Sequence, residues 1–296
     1  MIGFVKEVEK MIKNCDENYF DLVNDVLKNG VEKEDRTGVG VLSVFGRQTR
    51  YDISKKFPLL TTKKIHWKSV VGELLWFLKG DTNIKYLNNN NITIWNEWAD
   101  NNGDLGPIYG KQWRSWPSYV EAKYADLHGS ERIFNKKIEI DQLNQIIEEI
   151  KKTPNSRRLV VSAWNVGQLK DMALQPCHVM FQFYVRNNKL SCQLYQRSCD
   201  LGLGQPFNVA SYSLLTHLIA QVCGLDGVDE FIHTIGDLHI YKNHIMQLQE
   251  QLARVAFESP TIEIDKTIKN IDLFDFQHIK LIDYNSHSSI KMKVAV

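Results

Sequence analysis

Cys177 and His178 stand side by side after Pro176, at the head of the alternating run "HVMFQFYV". Cysteine is among the most buried residue types, so a thiol at the start of a strand reads first as a structural one. To act as a nucleophile it must ionise. A free thiol, with a pKa of about 8.5, is only a few per cent thiolate at neutral pH, so nearby cations decide its character. Arg197 closes "LSCQLYQR", the second arm of a hairpin turning at Asn187-Asn188, and hairpin register returns it toward Cys177. Arg157 and Arg158 are adjacent in "NSRRL", and Arg36 lies in "EDRTGVG". Each alone also reads as a solvated charge. Together, four arginines in strand and turn contexts suggest a phosphate pocket, because the guanidinium fork matches phosphate oxygens.

Other residues extend the constellation. Ser198 and Asp200 flank Cys199 just after Arg197, and the glycine-rich "LGLGQPFN" follows, where backbone N–H groups can approach a ligand closely. Glu73 lies inside the apolar run "WKSVVGELLWFLKG"; a buried carboxylate needs a partner or a raised pKa. His239 and Tyr241 share one face of an extended segment and could donate to a sugar hydroxyl or cap a core edge. Asn208 stands in a proline-flanked turn before a helix, where N-capping is the alternative role. Cys177 and His178, adjacent on a strand, point to opposite faces, which argues against a cysteine-hydrolase couple. The chain carries no GxGxxG, Walker loop or metal-ligand spacing.

The elements that must position these groups follow from periodicity. "DENYFDLVNDVLKNG" is a helical stripe closed by Asn29-Gly30, and "VGVLSVFGRQTRYDI" reads as β-structure with a turn near Gly46-Arg47. The Glu73 run is a buried helix stopped by Gly80; "SRRLVVSAWN" holds a short strand. "FNVASYSLLTHLIAQVCG" is a second apolar helix, and "YKNHIMQLQEQLARV" a final amphipathic one. The polar stretch from Ser118 to Lys137 reads as a surface insertion. No repeat or linker divides the 296 residues, which predicts one α+β domain over 1–296 with a large mixed or antiparallel sheet flanked by helices. Hydrophobic residues are 43 % and charged ones 24 %, enough for a sizeable core; the net charge of +1 favours no nucleic-acid or membrane partner. Five cysteines without a CxxC pair fit a reducing compartment. The first residues lack a secretory h-region, and no apolar run reaches the roughly 20 residues of a membrane helix, so a cytoplasmic protein is expected.

Taken in order, Arg-Thr-Gly, "LLTTKKIHWKSVVGELLWFLKGDTN", "IWNEWAD", "GDLGPIYGKQWR", "SRRLVVSAWN", "MALQPCH", "LSCQLYQRSCDLGLGQPFNVASY", "GDLHIYKNH" and a terminal Val-Ala-Val closely resemble the thymidylate synthases, from about Glu34 to Val296. The resemblance implies reductive methylation of dUMP to dTMP, with 5,10-methylenetetrahydrofolate as carbon and hydride donor and no metal. Cys177 would add to C6 of the uracil, making C5 nucleophilic. The implied phosphate site is Arg36, Arg197 and Ser198, with Arg157 and Arg158 from the partner of an obligate homodimer; Cys199 and Asp200 adjoin it. His239 and Tyr241 would hold the deoxyribose 3′-hydroxyl. Glu73, with His178 and Tyr109, would organise proton transfers. Asn208 would read uracil N3–H and O4 through its amide, favouring dUMP over dCMP. Lys63, His66, Trp95, Asp200, Gly204, Ala295 and Val296 would form the folate side, with the C-terminus closing over it. Gln175, Asn96, Gln205 and Leu238 depart from the family pattern without removing a catalytic group. A deoxyuridylate hydroxymethylase shares the first half of this chemistry; Trp95 and the Val-Ala-Val terminus argue against it. A nucleotide-binding module without activity is disfavoured by the joint presence of Cys177, Glu73 and Arg197.

Overall fold

The structure, a computed structural model, describes residues 13–125 and 131–295. The opening segment up to residue 12, the tip of the Ser118–Lys137 stretch and Val296 lie outside the described residues. In chain order the elements are α1 (Cys15–Asn29), β1 (Val31–Lys33), β2 (Val41–Asp52), α2 (Trp67–Leu78), α3 (Lys85–Asn89), α4 (Tyr109–Arg114), β3 (Trp116–Ala125), β4 (Glu131–Ile140), α5 (Gln142–Lys152), β5 (Val160–Ser162), β6 (His178–Arg186), β7 (Lys189–Asp200), α6 (Gly204–Val222), β8 (Gly227–Tyr241), α7 (Ile245–Leu252), β9 (Thr261–Ile264) and β10 (Ile279–Ile282).

Six strands form one mixed sheet in the order β1-β2-β8-β7-β6-β5. Every pairing is antiparallel except β7 with β8. A parallel pair needs a crossover, and α6 supplies it; the helix is apolar on nearly every side and is buried along almost its whole length. Phe181, Phe183, Leu194, Phe231 and Ile235 point from the sheet into the core, where Trp76 and Phe77 of α2 and Tyr212 of α6 are also buried. The register puts Tyr184, Gln193, Tyr195, Thr234 and Gln48 on the opposite face. Tyr184 is 61 % exposed there and Tyr195 38 %.

Local sequence explains most boundaries. Asn14 and Glu17 form a reciprocal capping box at the start of α1. Asn187 and Asn188 both take positive φ (51° and 56°), the two-residue turn that matches strand twist. Three expectations need correction. No turn occurs at Gly46-Arg47: β2 runs through, Gly46 adopts a φ of 72° as a kink opposite Gly236, and the register is kept on both sides. Helix α6 starts at Gly204, so Pro206 falls in its first turn, where its missing N–H would have no intrahelical partner, and Asn208 lies inside the helix rather than in a turn before it. The last amphipathic helix is short, a 3-10 turn (Lys242–His244) followed by α7.

The described parts of the Ser118–Lys137 stretch lie at the surface as expected, but they form the antiparallel ribbon β3–β4. Val120, Ala122 and Tyr124 alternate along β3, and Tyr124 meets Phe134 edge-on at 5.8 Å. Single-sequence polarity concealed this period-two pattern.

Candidate active site

The hairpin β6–β7 brings Cys177 and Arg197 together as its register requires. His178 pairs with Gln196, and the N–H of Arg197 donates to the Cys177 carbonyl at 2.9 Å. The Arg197 side chain reaches over the same loop. Its Nε donates to the Pro176 carbonyl and its Nη2 to the Gln175 carbonyl, both at 2.9 Å, while Nη2 stands 4.0 Å from the Cys177 sulfur. The guanidinium also lies 5.4 Å above the Trp164 ring, a cation–π contact that fixes its plane. Gln175 therefore enters the site through its backbone; its side chain is exposed.

The N–H of Cys177 donates to the Tyr109 hydroxyl at 2.8 Å. Burial pushes the thiol pKa above its ordinary value, and the pull of Arg197, Tyr109 and Arg36 in the other direction does not overcome it. In the single chain the cations thus moderate the thiol without ionising it. Arg36 is exposed on a turn that Asp35 ties together, accepting from Thr37 N–H at 2.9 Å and Gly40 N–H at 2.8 Å.

Arg157 and Arg158 stand apart. Both are exposed on the segment leading into the edge strand β5, and Leu159 accepts from Phe183 N–H at 2.9 Å. That pairing sets Arg158 beside Tyr184, seven residues along β6 from Cys177. At about 3.3 Å per residue the separation is roughly 23 Å. Neither guanidinium can serve the Cys177 of its own chain.

Glu73 and its aromatic box lie behind the thiol. Glu73 accepts from the Trp95 indole at 2.8 Å, yet burial raises its pKa to about 7. Tyr109 packs 5.0 Å from Phe77, 5.9 Å from Trp95 and 5.0 Å from His178. The His178 ring is buried, its pKa falls to about 4 for that reason, and Asn208 is its hydrogen-bonding neighbour. A neutral ring facing away from the sulfur is no base for Cys177. Sequence reasoning missed Gln196, whose Nε2 donates to Asn208 Oδ1 at 3.0 Å. A glutamine at an inward position of a buried strand was the available signal.

His239 and Tyr241 sit on one face of β8, rings 5.3 Å apart. Asp237 holds His239 Nδ1 at 3.2 Å and accepts from Ser43 at 2.7 Å; these bonds bring its pKa down to about 2. Asp200 accepts from Gly202 N–H at 2.7 Å and Leu203 N–H at 3.1 Å, closing the turn that opens α6 just before Gly204. Burial opposes its ionisation, but His244, His239 and the Gly202 N–H outweigh burial and keep its pKa below the ordinary value. Ser198 is half-buried beside Asp200, whereas the Cys199 thiol is fully buried on the other side of β7, so only the Cys199 backbone is available to a ligand.

The expected folate residues diverge. Lys63 is buried, donates to the Gly202 carbonyl at 2.6 Å, and has its pKa lowered to about 8 by burial. It braces the Asp200 turn. His66 is exposed, with Nδ1 2.7 Å from the Ser69 hydroxyl at the start of α2. Trp95 is buried against Glu73, and the neighbouring Trp98 keeps a buried indole N–H without a partner. Ala295 is half-buried at the end of a segment fastened by His244, whose Nε2 lies 2.7 Å from the Lys293 carbonyl. Of the departures, Gln205 is fully buried and donates to the Tyr51 hydroxyl at 3.0 Å, Leu238 is fully buried in the core, and Asn96 is exposed.

Among the described residues no cluster of three or more His, Cys, Asp or Glu could hold a metal ion, and no helix is long and apolar enough to cross a membrane. The thymidylate synthase family model matches residues 17–296. That span holds every residue of the candidate site and the whole mixed sheet with its helices except the start of α1, so the chain belongs to the thymidylate synthase family, a family of one-carbon-transferring enzymes that use methylenetetrahydrofolate.

Proposed function

We propose that the protein methylates dUMP reductively to dTMP, using 5,10-methylenetetrahydrofolate and releasing dihydrofolate, as a cytoplasmic homodimer working as one domain per chain. The observation that carries the reading is the Cys177 sulfur held next to the Arg197 guanidinium, with Tyr109 fixing the Cys177 backbone. The Cys177 thiol gives its proton to solvent and its sulfur bonds to C6 of the uracil; the C5–C6 π electrons pass to C5 and O4 as an enolate. That addition makes a poor carbon nucleophile a good one. Arg197, Arg36 and Ser198, with Arg157 and Arg158 of the second subunit, hold the phosphate. His239 and Tyr241 hold the ribose hydroxyl.

Asn208 offers an acceptor and a donor to uracil N3–H and O4. Glu73, with a pKa of about 7, can hold or release a proton near neutrality and suits a relay toward O4. The partnerless Trp98 N–H and the ionised Asp200 are groups a pterin can meet, and the folate supplies the carbon and the hydride when bound. A homodimer is supported by the distance of Arg157 and Arg158 from their own Cys177 and by the exposed Tyr184 and Tyr195 face. All five cysteines are unpaired, which suits the cytoplasm.

The test follows tritium release from dUMP labelled at C5, alongside dihydrofolate absorbance. Both should appear together, and Cys177→Ala should abolish both while still binding dUMP. Tritium release with 5-hydroxymethyl-dUMP and no dihydrofolate would instead identify the hydroxymethylase, and full activity in Cys177→Ala would remove the nucleophile.

A further inference from the structure

Gln196, 2 % exposed, sits at the centre of a buried relay. Its Nε2 donates to the Ser198 carbonyl at 2.9 Å and to Asn208 Oδ1 at 3.0 Å, and its Oε1 lies 2.9 Å from His233 Nε2. A backbone carbonyl can only accept, so Ser198 fixes the nitrogen end of the amide. The oxygen end then faces His233, whose Nε2 must carry the hydrogen. The other ring nitrogen, Nδ1, is buried with no protein partner, as the unprotonated nitrogen of that tautomer. His233 is fully buried and packs 5.8 Å from Phe231; burial lowers its pKa to about 3, so the ring stays neutral.

We infer that His233 is a positioning residue for base recognition: its Nε2–H holds the Gln196 amide in one orientation, and Gln196 thereby holds the Asn208 amide in one orientation. This rests on the dUMP reading of the site. With Oδ1 committed to Gln196, Asn208 keeps a second lone pair for uracil N3–H and its Nδ2 for O4. Cytosine presents the reverse pattern and would require Asn208 to turn over. Nδ2 would then face Gln196 Nε2, donor against donor. Turning Gln196 as well would set its oxygen against the Ser198 carbonyl and its nitrogen against the His233 N–H. Specificity in this arrangement comes from a built-in clash with the wrong base as much as from contacts with the right one.

The test is calorimetric titration of the full-length protein with dUMP and with dCMP. His233→Phe and His233→Leu remove the donor; His233→Gln places an amide N–H at comparable reach. The dCMP/dUMP ratio of Kd values should fall about tenfold in the Phe and Leu variants, the effect of one buried hydrogen bond. It should stay near the wild-type value in His233→Gln. A ratio measured on one sample is insensitive to a misfolded fraction. An unchanged ratio in both apolar variants overturns the inference, and so does a Gln variant that falls as far as they do. Wild-type protein that binds no dUMP would instead bring down the functional reading, and this inference with it.

Discussion

At the scale of the residue, Glu73 is the side chain whose chemistry burial alters most usefully. Among the described residues its carboxyl has one partner, the Trp95 indole, and a pKa raised to about 7 because the ionised form is desolvated. A pKa raised on folding destabilises the native state as pH rises. The native protein keeps the proton that the unfolded chain has already lost above about pH 4.3, so stability declines until the native group ionises near 7 and is level beyond it. The full effect is roughly 4 kcal/mol. Glu73→Gln removes it, so the melting temperature of the variant relative to wild type should climb by several degrees between pH 4.5 and pH 7.5, with turnover lost at both. A difference in melting temperature that does not change with pH would contradict this role. The apolar run around Glu73 made the residue conspicuous in the sequence. The thiol of Cys177 was harder to judge there, since its ionisation is set by a balance of burial against three groups distant in sequence, Arg197, Tyr109 and Arg36.

At the scale of the element, the site depends on how closely α2 and α4 approach. A Cβ at Gly110 would sit 2.4 Å from the Phe77 carbonyl oxygen and 2.7 Å from its Cα, so backbone meets backbone and nothing can yield cheaply. Tyr109, which accepts from the Cys177 N–H, is the residue just before it. Gly110→Ala should therefore destabilise the fold by about 1–3 kcal/mol, read as a lower urea midpoint. It should also depress kcat, because the hydroxyl shifts away from Cys177. Loss of stability with kcat intact would detach Tyr109 from the chemistry. Elements like the β6–β7 hairpin were legible because their signals are local: paired asparagines for the turn, alternation for the strands. The run around Gly46 was misread because a glycine that kinks a strand looks like one that ends it. The Gln196–His233 contact was invisible because it joins residues 37 positions apart across a parallel strand pair.

At the scale of the whole molecule, the chain's arginines outnumber what its own pocket can use. Arg197 and Arg36 act on the Cys177 thiol, while Arg157 and Arg158 lie on the far edge of the sheet, roughly 23 Å away by strand spacing. Sequence context singles out four guanidinium groups, Arg36, Arg157, Arg158 and Arg197, but cannot say which molecule each one serves. If a second subunit receives Arg157 and Arg158, a two-fold arrangement gives each site groups from both chains. Two inactive proteins should then complement one another. Cys177→Ser lacks the nucleophile but offers both arginines; the double variant Arg157→Ala, Arg158→Ala keeps the nucleophile and lacks the donated charges. After subunit exchange in mild urea and its removal, a mixed dimer holds one site with neither defect. Random pairing makes about half the dimers mixed, so about a quarter of all sites, and of wild-type activity, should return. The regained activity should scale with the fraction of mixed dimers resolved by native mass spectrometry. Mixed dimers that form without regaining activity would overturn the donation of Arg157 and Arg158 between subunits, and a double variant as active as wild type would leave the two arginines as surface charges of the sheet edge on which they lie.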